Sequence, residues 1–184
     1  MTYYGGKDLA ASFRTVRNNT IKIAEEIPES KYDFRAAPDC RTIGQTLVHI
    51  AVGPSFQHQI HSNKFDDVTK VNFAPELIQK LTAEEATPRT KAEIVAMLRA
   101  EGDQFASFLE SLPEAFLAER VAMRPGTDPA TKTRFEMLLS AKEHEMHHRA
   151  QLMVLQRMIG QVPHLTRQMQ ERMAQAQAGM PQAR

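Results

Sequence analysis

The stretch TRFEMLLSAKEHEMHHRAQLMVLQRMIG, residues 133–160, predicts one long amphipathic helix with a histidine pair on its apolar face. Thr133 followed by Glu136 is a capping-box start, and Gly160 is typical of a residue just beyond a helix end. Spacings of three and four residues define a single stripe along this helix: Met137, Ala141, His144, His148, Leu152, Leu155 and Ile159. The two histidines therefore interrupt a face that must pack against other helices.

The histidine pair has three interpretations. His144 and His148 are one helical turn apart, so both imidazoles can bind one metal ion. The same segment fits H-E-x-x-H, the zinc-protease motif, with Glu145 as the base and Glu171 as a possible downstream ligand. That interpretation needs a strand-bearing scaffold, which the sequence pattern does not indicate. The third interpretation is a pair of hydrogen-bonded core histidines without metal. His147 lies about 100° away from the stripe and is predicted at the rim of the site.

Composition and charge limit the classes of protein to consider. The chain has 184 residues, 42% of them hydrophobic and 24% charged, which is typical of one soluble domain. We expect no membrane partner and a cytoplasmic location, because there is no long apolar run and the first residues lack the pattern of a signal peptide. A net charge of +1 with mixed signs predicts no nucleic-acid partner. The single cysteine, Cys40, excludes an internal disulfide and a cysteine-based zinc site, and we expect it to be structural.

Three further helices are predicted from apolar periodicity, caps and breakers. They run from Lys7 to Ile27, from Thr42 to Ser62 with a kink at Gly53-Pro54, and from Thr90 to Ser111. Residues 63–89 are long for a connection, and we expect a short helix near 76–81. The predicted fold is all-α: an up-down four-helix bundle with a long connection between helices 2 and 3. Residues 1–165 are assigned to the bundle and 166–184 to a polar tail rich in Gln, Ala and Met, which is assigned no function.

A third metal ligand should come from another helix, because metal sites in bundles are built from facing helices. His49 is the preferred candidate, since it lies in an apolar part of helix 2, and Gly53 one turn on leaves space beside it. His58 and His61 lie in a polar run and are predicted to be exposed. His164 follows the last helix and is too far along the chain to join the pair.

The segments 42–49 (TIGQTLVH) and 144–152 (HEMHHRAQL) together resemble the DinB/YfiT-like metalloenzymes. The resemblance covers roughly residues 7–160. It implies a four-helix bundle in which His49 on helix 2 and His144 and His148 in an H-x-x-x-H-R-x-Q pattern on helix 4 bind the metal. The sequence departs from the usual pattern at Ala150, where glycine is common, and at Gly53-Pro54.

Three neutral imidazoles leave a fourth coordination position open, as in catalytic zinc sites. Imidazole ligands suit zinc or nickel, and iron is also compatible. The resemblance implies a thiol-dependent S-transferase that uses a low-molecular-weight thiol, acts on a small-molecule substrate and forms a homodimer. The alternatives are a non-catalytic, stress-associated metal-binding bundle and a zinc-dependent hydrolase. Glu143 and Glu145 either orient the ligating imidazoles or lie on the exposed face of the helix.

Overall fold

A computed structural model of the protein describes residues 4–71 and 75–178 and is mostly helical. The α-helices are α1 (Gly6–Glu26), α2 (Ile43–Val52), α3 (Ser55–Ser62), α4 (Pro75–Ala86), α5 (Lys91–Ser111), α6 (Glu114–Ala118), α7 (Arg134–Met158) and α8 (His164–Ala178). Two short antiparallel strands, β1 (Arg120–Ala122) and β2 (Thr131–Thr133), lie between α6 and α7. Within the described residues, no helix is both long and apolar enough to cross a membrane.

The bundle consists of α1, α5, α7 and the broken helix formed by α2 and α3. Helices α1 and α2 occupy opposite corners, and each packs against both α5 and α7. Helix α2 runs parallel to α5: Gly44 lies beside Ile94, and further on the His58 ring centroid is 4.6 Å from that of Phe108. The predicted four-helix bundle and its long connection are confirmed. The parallel pair refines the predicted up-down order, because the long connection returns the chain to the end at which α2 began.

The helix ends follow the local signals in the sequence. Thr42, Thr90 and Thr133 each accept a hydrogen bond from the backbone N–H three residues on, as capping residues do. Gly160 has φ +85°, the left-handed conformation that ends helices and favours glycine. The expected kink at Gly53-Pro54 is the break between α2 and α3. These caps determine where each histidine-bearing helix starts, and so which face each histidine occupies.

Buried Arg17 of α1 joins all four helices of the bundle. Its Nε lies 3.0 Å from both carboxylate oxygens of Glu145 on α7, and its Nη1 donates to the Leu98 carbonyl of α5 at 2.8 Å. Its Nη2 donates to the Ile50 carbonyl of α2 at 3.0 Å. In a regular helix that carbonyl would accept from the residue four positions on, but this residue is Pro54, which has no N–H. The arginine therefore satisfies a carbonyl that the proline leaves without a partner.

Two apolar clusters fill the bundle on either side of this polar layer. One contains buried side chains such as Ile23, Leu47, Leu98 and Leu152, and the other contains Phe13, Phe105, Leu109 and Leu138. The Arg17–Glu145 pair thus lies between the two apolar clusters, and it fixes the position of the middle of α7 relative to α1.

The predicted boundary between bundle and tail at 165–166 lies inside α8, which begins at His164. The start of this helix is attached to α1, since His164 Nε2 lies 3.1 Å from Asn19 Oδ1 and Arg167 forms an ion pair with Glu26 at 2.6 Å. Residues 171–178 are exposed, and residues 179–184 of the predicted tail lie outside the described residues.

Candidate metal centre

The structure brings together the three histidines that the sequence selected. His49 projects from α2 towards His144 and His148 on α7. The distance between Nε2 of His49 and Nε2 of His144 is 3.0 Å, and that between Nε2 of His148 and Nε2 of His144 is 3.2 Å. One possible ligand atom from each ring lies within 4.8 Å of the other two. The three imidazoles therefore converge on one small volume.

The hydrogen bonds of the outer ring nitrogens show how this arrangement suits a cation. His49 Nδ1 lies 2.7 Å from a Glu85 oxygen, and His148 Nδ1 lies 2.8 Å from the Gln151 amide oxygen. Both partners accept, so both Nδ1 atoms carry the proton and both Nε2 lone pairs face inward. His144 Nε2 can donate to only one of them. A divalent ion would instead accept all three lone pairs. Ligand nitrogens about 2.0–2.1 Å from a tetrahedral ion lie about 3.3 Å apart, close to the 3.0 Å and 3.2 Å that separate His144 Nε2 from the other two Nε2 atoms.

The surroundings of His144 and His148 favour the neutral form of these two imidazoles, which is the form that can bind metal. Burial, followed by the neighbouring His148 and His49, lowers the pKa of His144 to about 4. Burial also lowers the pKa of His148, although its hydrogen bond with Gln151 acts in the opposite direction. Lone pairs on both residues of α7 are therefore available near pH 7.

Glu85 is a functional candidate that the sequence analysis missed. It lies near the end of α4, which extends to Ala86 rather than ending near residue 81 as predicted. One carboxylate oxygen contacts His49, and the other is 2.6 Å from Arg41 Nε. Burial alone would raise the pKa of Glu85, but the hydrogen bonds from Arg41 and His49 outweigh it and hold the pKa below its usual value. A carboxylate in this position orients a ligating imidazole and increases its basicity.

Gln151 plays the corresponding part for His148. Its amide oxygen accepts from His148, and its amide nitrogen donates to His147 Nε2 at 3.1 Å. His147 is exposed, as expected for a residue at the rim. The geometry therefore explains the final Q of the H-x-x-x-H-R-x-Q pattern: Gln151 sets the orientation of His148, the second histidine of the pattern.

Gly53 leaves room for the ring of His144. A Cβ atom at this position would lie 3.1 Å from His144 Cε1 and 3.2 Å from His144 Nδ1. These distances are shorter than ordinary carbon contacts, so any larger residue would displace the imidazole. The space predicted beside Gly53 is thus used by the histidine of the facing helix.

Two cavities flank the three histidines. The larger one has a volume of about 670 Å³ and lies beside His148 and Gln151, with Cys40 and Arg41 in its wall. The smaller has a volume of about 380 Å³, and its lining includes His49, His144, Gln57 and Ser140. Both volumes are within the usual range for small-molecule sites. The imidazoles are therefore accessible to small molecules from two sides.

Comparison with known proteins identifies the family. Residues 12–152 match the sequence model of the DinB superfamily. The chain belongs to the DinB superfamily. No protein of curated function matches the sequence.

Several solved structures share the fold of this DinB-superfamily protein. A DinB-like protein from Bacillus subtilis has a TM-score of 0.61 and 19% identity, over 84% of this chain and 93% of that one. YfiT from Bacillus subtilis, described as "a probable metal-dependent hydrolase with an unusual four-helix bundle topology", has a TM-score of 0.63 and 13% identity, over 88% and 91%. An uncharacterised protein from Clostridium difficile 630 has a TM-score of 0.63 and 16% identity, over 85% and 98%. At these identities the likeness concerns the fold.

The prediction that His58 and His61 are surface residues is wrong for His61. That ring is buried, with Arg134 Nη1 3.2 Å from its Nδ1 and the Gln57 amide oxygen 3.2 Å from its Nε2. His58 is half-buried against Phe108. Neither residue belongs to the three-histidine cluster, because both lie on α3 beyond the Gly53-Pro54 break.

Glu145 is buried in this DinB-superfamily protein, not exposed beside the histidines. Its carboxylate is paired with Arg17 in the bundle interior, so we do not assign it the role of a base. Glu143 is exposed, as expected of the outer face of α7. Among the described residues, the group of potential metal ligands consists of the three histidines, and Glu171 is exposed on α8. Cys40, which was expected to be structural, is exposed and lies in the wall of the larger cavity.

Proposed function

We propose that this DinB-superfamily protein is a metal-dependent enzyme that binds one divalent ion through His49, His144 and His148. Zinc or nickel is the proposed metal, and iron also suits three imidazoles. The observation that carries the proposal is the convergence of the three Nε2 atoms. In His49 and His148 the ring proton is held on Nδ1 by Glu85 and Gln151, so the Nε2 lone pair of each ring is free to bind an ion. The proposed reaction is transfer of a low-molecular-weight thiol to a small electrophile.

The geometry is suited to this chemistry. A divalent ion with three imidazole ligands keeps an open position, where it can lower the pKa of a bound thiol or water. Glu85 holds the proton on His49 Nδ1, and Gln151 holds the proton on His148 Nδ1, so the Nε2 lone pairs of both rings stay directed at the centre. In the overall reaction the S–H bond and the bond from carbon to the leaving group break, and a sulfur–carbon bond forms. The leaving group departs with the electron pair of its bond, and the thiol proton is released to water.

The two cavities support a reaction of two substrates. One borders His148 and the other borders His49 and His144, so a thiol and an electrophile can approach the same centre from different sides. Hydrolysis needs space for only one organic substrate and a water molecule. It is the second candidate, because YfiT, which shares the fold, is described as a probable metal-dependent hydrolase.

Metal content tests the ligand set. Purified protein should contain about one divalent ion per chain, and His148→Ala should lose it, since two remaining imidazoles chelate weakly. His58→Ala is the matched control, because this half-buried histidine of α3 packs against Phe108 and lies outside the three-histidine cluster. Elemental analysis that finds equal metal in the wild type and in His148→Ala would exclude the three-histidine site.

Activity measurements separate the three candidate functions. A panel of cellular thiols should be consumed with a model electrophile by metal-loaded protein, and His144→Ala or chelation should abolish turnover. Cleavage of model esters or amides without any thiol would favour the hydrolase. A bound, exchangeable ion with neither activity would favour the non-catalytic metal-binding function.

We also propose a homodimer, on the basis of the family resemblance. Light scattering at working concentration should give twice the 20.8 kDa mass of one chain. A monomer mass would refute this part of the proposal.

A further inference from the structure

The larger cavity is lined by the loop before α2 and by α7, and each of them contributes both polar and apolar residues. Ala36, Asp39 and Arg41 line it from the loop before α2, and Gln151, Val154 and Leu155 line it from α7. His148 also borders it, so a molecule in this cavity would extend from the loop before α2 to the histidines. A ligand that matches these walls has an apolar body with a charged group at one end.

Arg41 is held in place within this wall. Its Nε lies 2.6 Å from one Glu85 oxygen and its Nη2 lies 3.4 Å from the other, so Glu85 fixes one edge of the guanidinium. The side chain is 44% exposed, which leaves part of it accessible to a ligand. A guanidinium group with a fixed plane is well suited to a carboxylate, because its N–H donors match the spacing of the two oxygens.

We propose that this cavity binds a small organic acid, with its carboxylate on Arg41, its apolar body against Val154 and Leu155, and its other end at His148. The inference deepens the proposed function by naming the substrate class: one of the two substrates carries a carboxylate. Glu85 and Asp39 place negative charge beside Arg41, and because the resulting repulsion grows with the charge of the ligand, a monocarboxylate is favoured over a polyanion. Recognition of the carboxylate by Arg41 does not depend on the ion.

Cys40 provides a direct measure of occupancy. It is the only cysteine of the chain, it is exposed, and it lies in the wall of this cavity next to Arg41. A bound molecule should therefore slow its alkylation by iodoacetamide, a neutral reagent. Hexanoate and hexanamide form a matched pair of probes, alike in apolar body and different in charge. At twice its Kd, hexanoate should slow alkylation about threefold, the factor 1 + [L]/Kd, whereas hexanamide should have little effect.

Substitutions locate the carboxylate. Arg41→Gln should abolish protection by hexanoate, and Arg41→Lys should restore part of it. Arg35→Gln is the matched control, because Arg35 is an exposed arginine of the same loop that contacts the Pro38 carbonyl and does not line this cavity. Each variant is compared with its own rate without probe, since loss of Arg41 changes the reactivity of the adjacent thiol itself.

The experiment is run on the full chain, both as purified and after chelation, so that binding of the carboxylate to an ion can be recognised. Equal protection by hexanoate and hexanamide, no protection by either, or unchanged protection in Arg41→Gln would overturn the inference. The outcome is separable from that of the proposed function. Protection of Cys40 by hexanoate without any thiol turnover would support the carboxylate site and contradict the transferase function. Thiol turnover without protection of Cys40 by hexanoate would contradict only the proposed carboxylate site.

Discussion

Replacing Glu85 with glutamine should weaken metal binding about 10–100-fold, the usual cost of losing a partner that orients a ligating histidine. In the native protein one carboxylate oxygen accepts from His49 and the other accepts from Arg41. Glutamine has a single acceptor oxygen, so its NH₂ group must face one of these two donors. If the NH₂ group faces His49, the imidazole proton moves to Nε2 and blocks the lone pair that would bind the ion.

The expected loss corresponds to about 1.4–2.7 kcal/mol of binding free energy. It is measured by titrating Zn²⁺ into protein in competition with a chromophoric chelator, at fixed pH. Urea unfolding of the metal-free protein should change little, because Glu85 lies at the edge of the bundle and not in its apolar core.

Glu84→Gln is the matched control for this experiment. Glu84 is the neighbouring carboxylate on α4, and it forms an ion pair with Arg89 instead of contacting a histidine. Its replacement should leave zinc affinity unchanged. Equal affinities of Glu85→Gln and the wild type would refute the orienting role of Glu85. An equal loss in both variants would show a general effect of charge on α4 rather than the specific contact with His49.

Three further predictions concern stability and packing. Arg17→Met should lower the free energy of unfolding in urea by about 3–5 kcal/mol, because it leaves the Glu145 carboxylate buried without its cation. Adding Glu145→Leu to this variant should recover much of the loss. If the losses of the two single variants simply add in the double variant, the pairing is contradicted. Burial, and secondly the charge of Arg134, lowers the pKa of His61 to about 4. As the pH falls, the imidazole is protonated in the unfolded chain before it is protonated in the folded one. The free energy of unfolding should therefore fall as the pH decreases from 6.5 to about 4. The fall amounts to roughly 3 kcal/mol, and His61→Gln should show a correspondingly flatter pH profile in urea titrations; an unchanged profile would show that His61 does not cause it. Gly53→Ala should weaken zinc binding, because the added Cβ displaces the ring of His144. The free energy of unfolding in urea should stay the same or rise slightly, since alanine is the better helix former. Unchanged zinc affinity would show that the ring tolerates a Cβ at this position.

The elements with local signals could be predicted from the sequence. Caps at Thr42, Thr90 and Thr133 and the breaker pair at Gly53-Pro54 act on neighbouring backbone groups, so the helix boundaries follow from residues close in the chain. The spacing of three and four in α7 places two histidines on the packed face for the same local reason. The convergence of the third histidine was predicted from the apolar context of helix 2 together with the family pattern.

Polar contacts between distant parts of the chain were decided only by the tertiary structure. Glu145 and Arg17 are 128 positions apart, and periodicity alone cannot distinguish a buried, paired carboxylate from an exposed one. Glu85 is 36 positions from His49 on a helix that belongs to the long connection, and no motif links the two residues. Burial of a charged or polar side chain depends on whether a partner compensates its lost hydration. That partner is supplied by another helix, so the sequence indicated which faces pack, and the packing decided which polar groups meet.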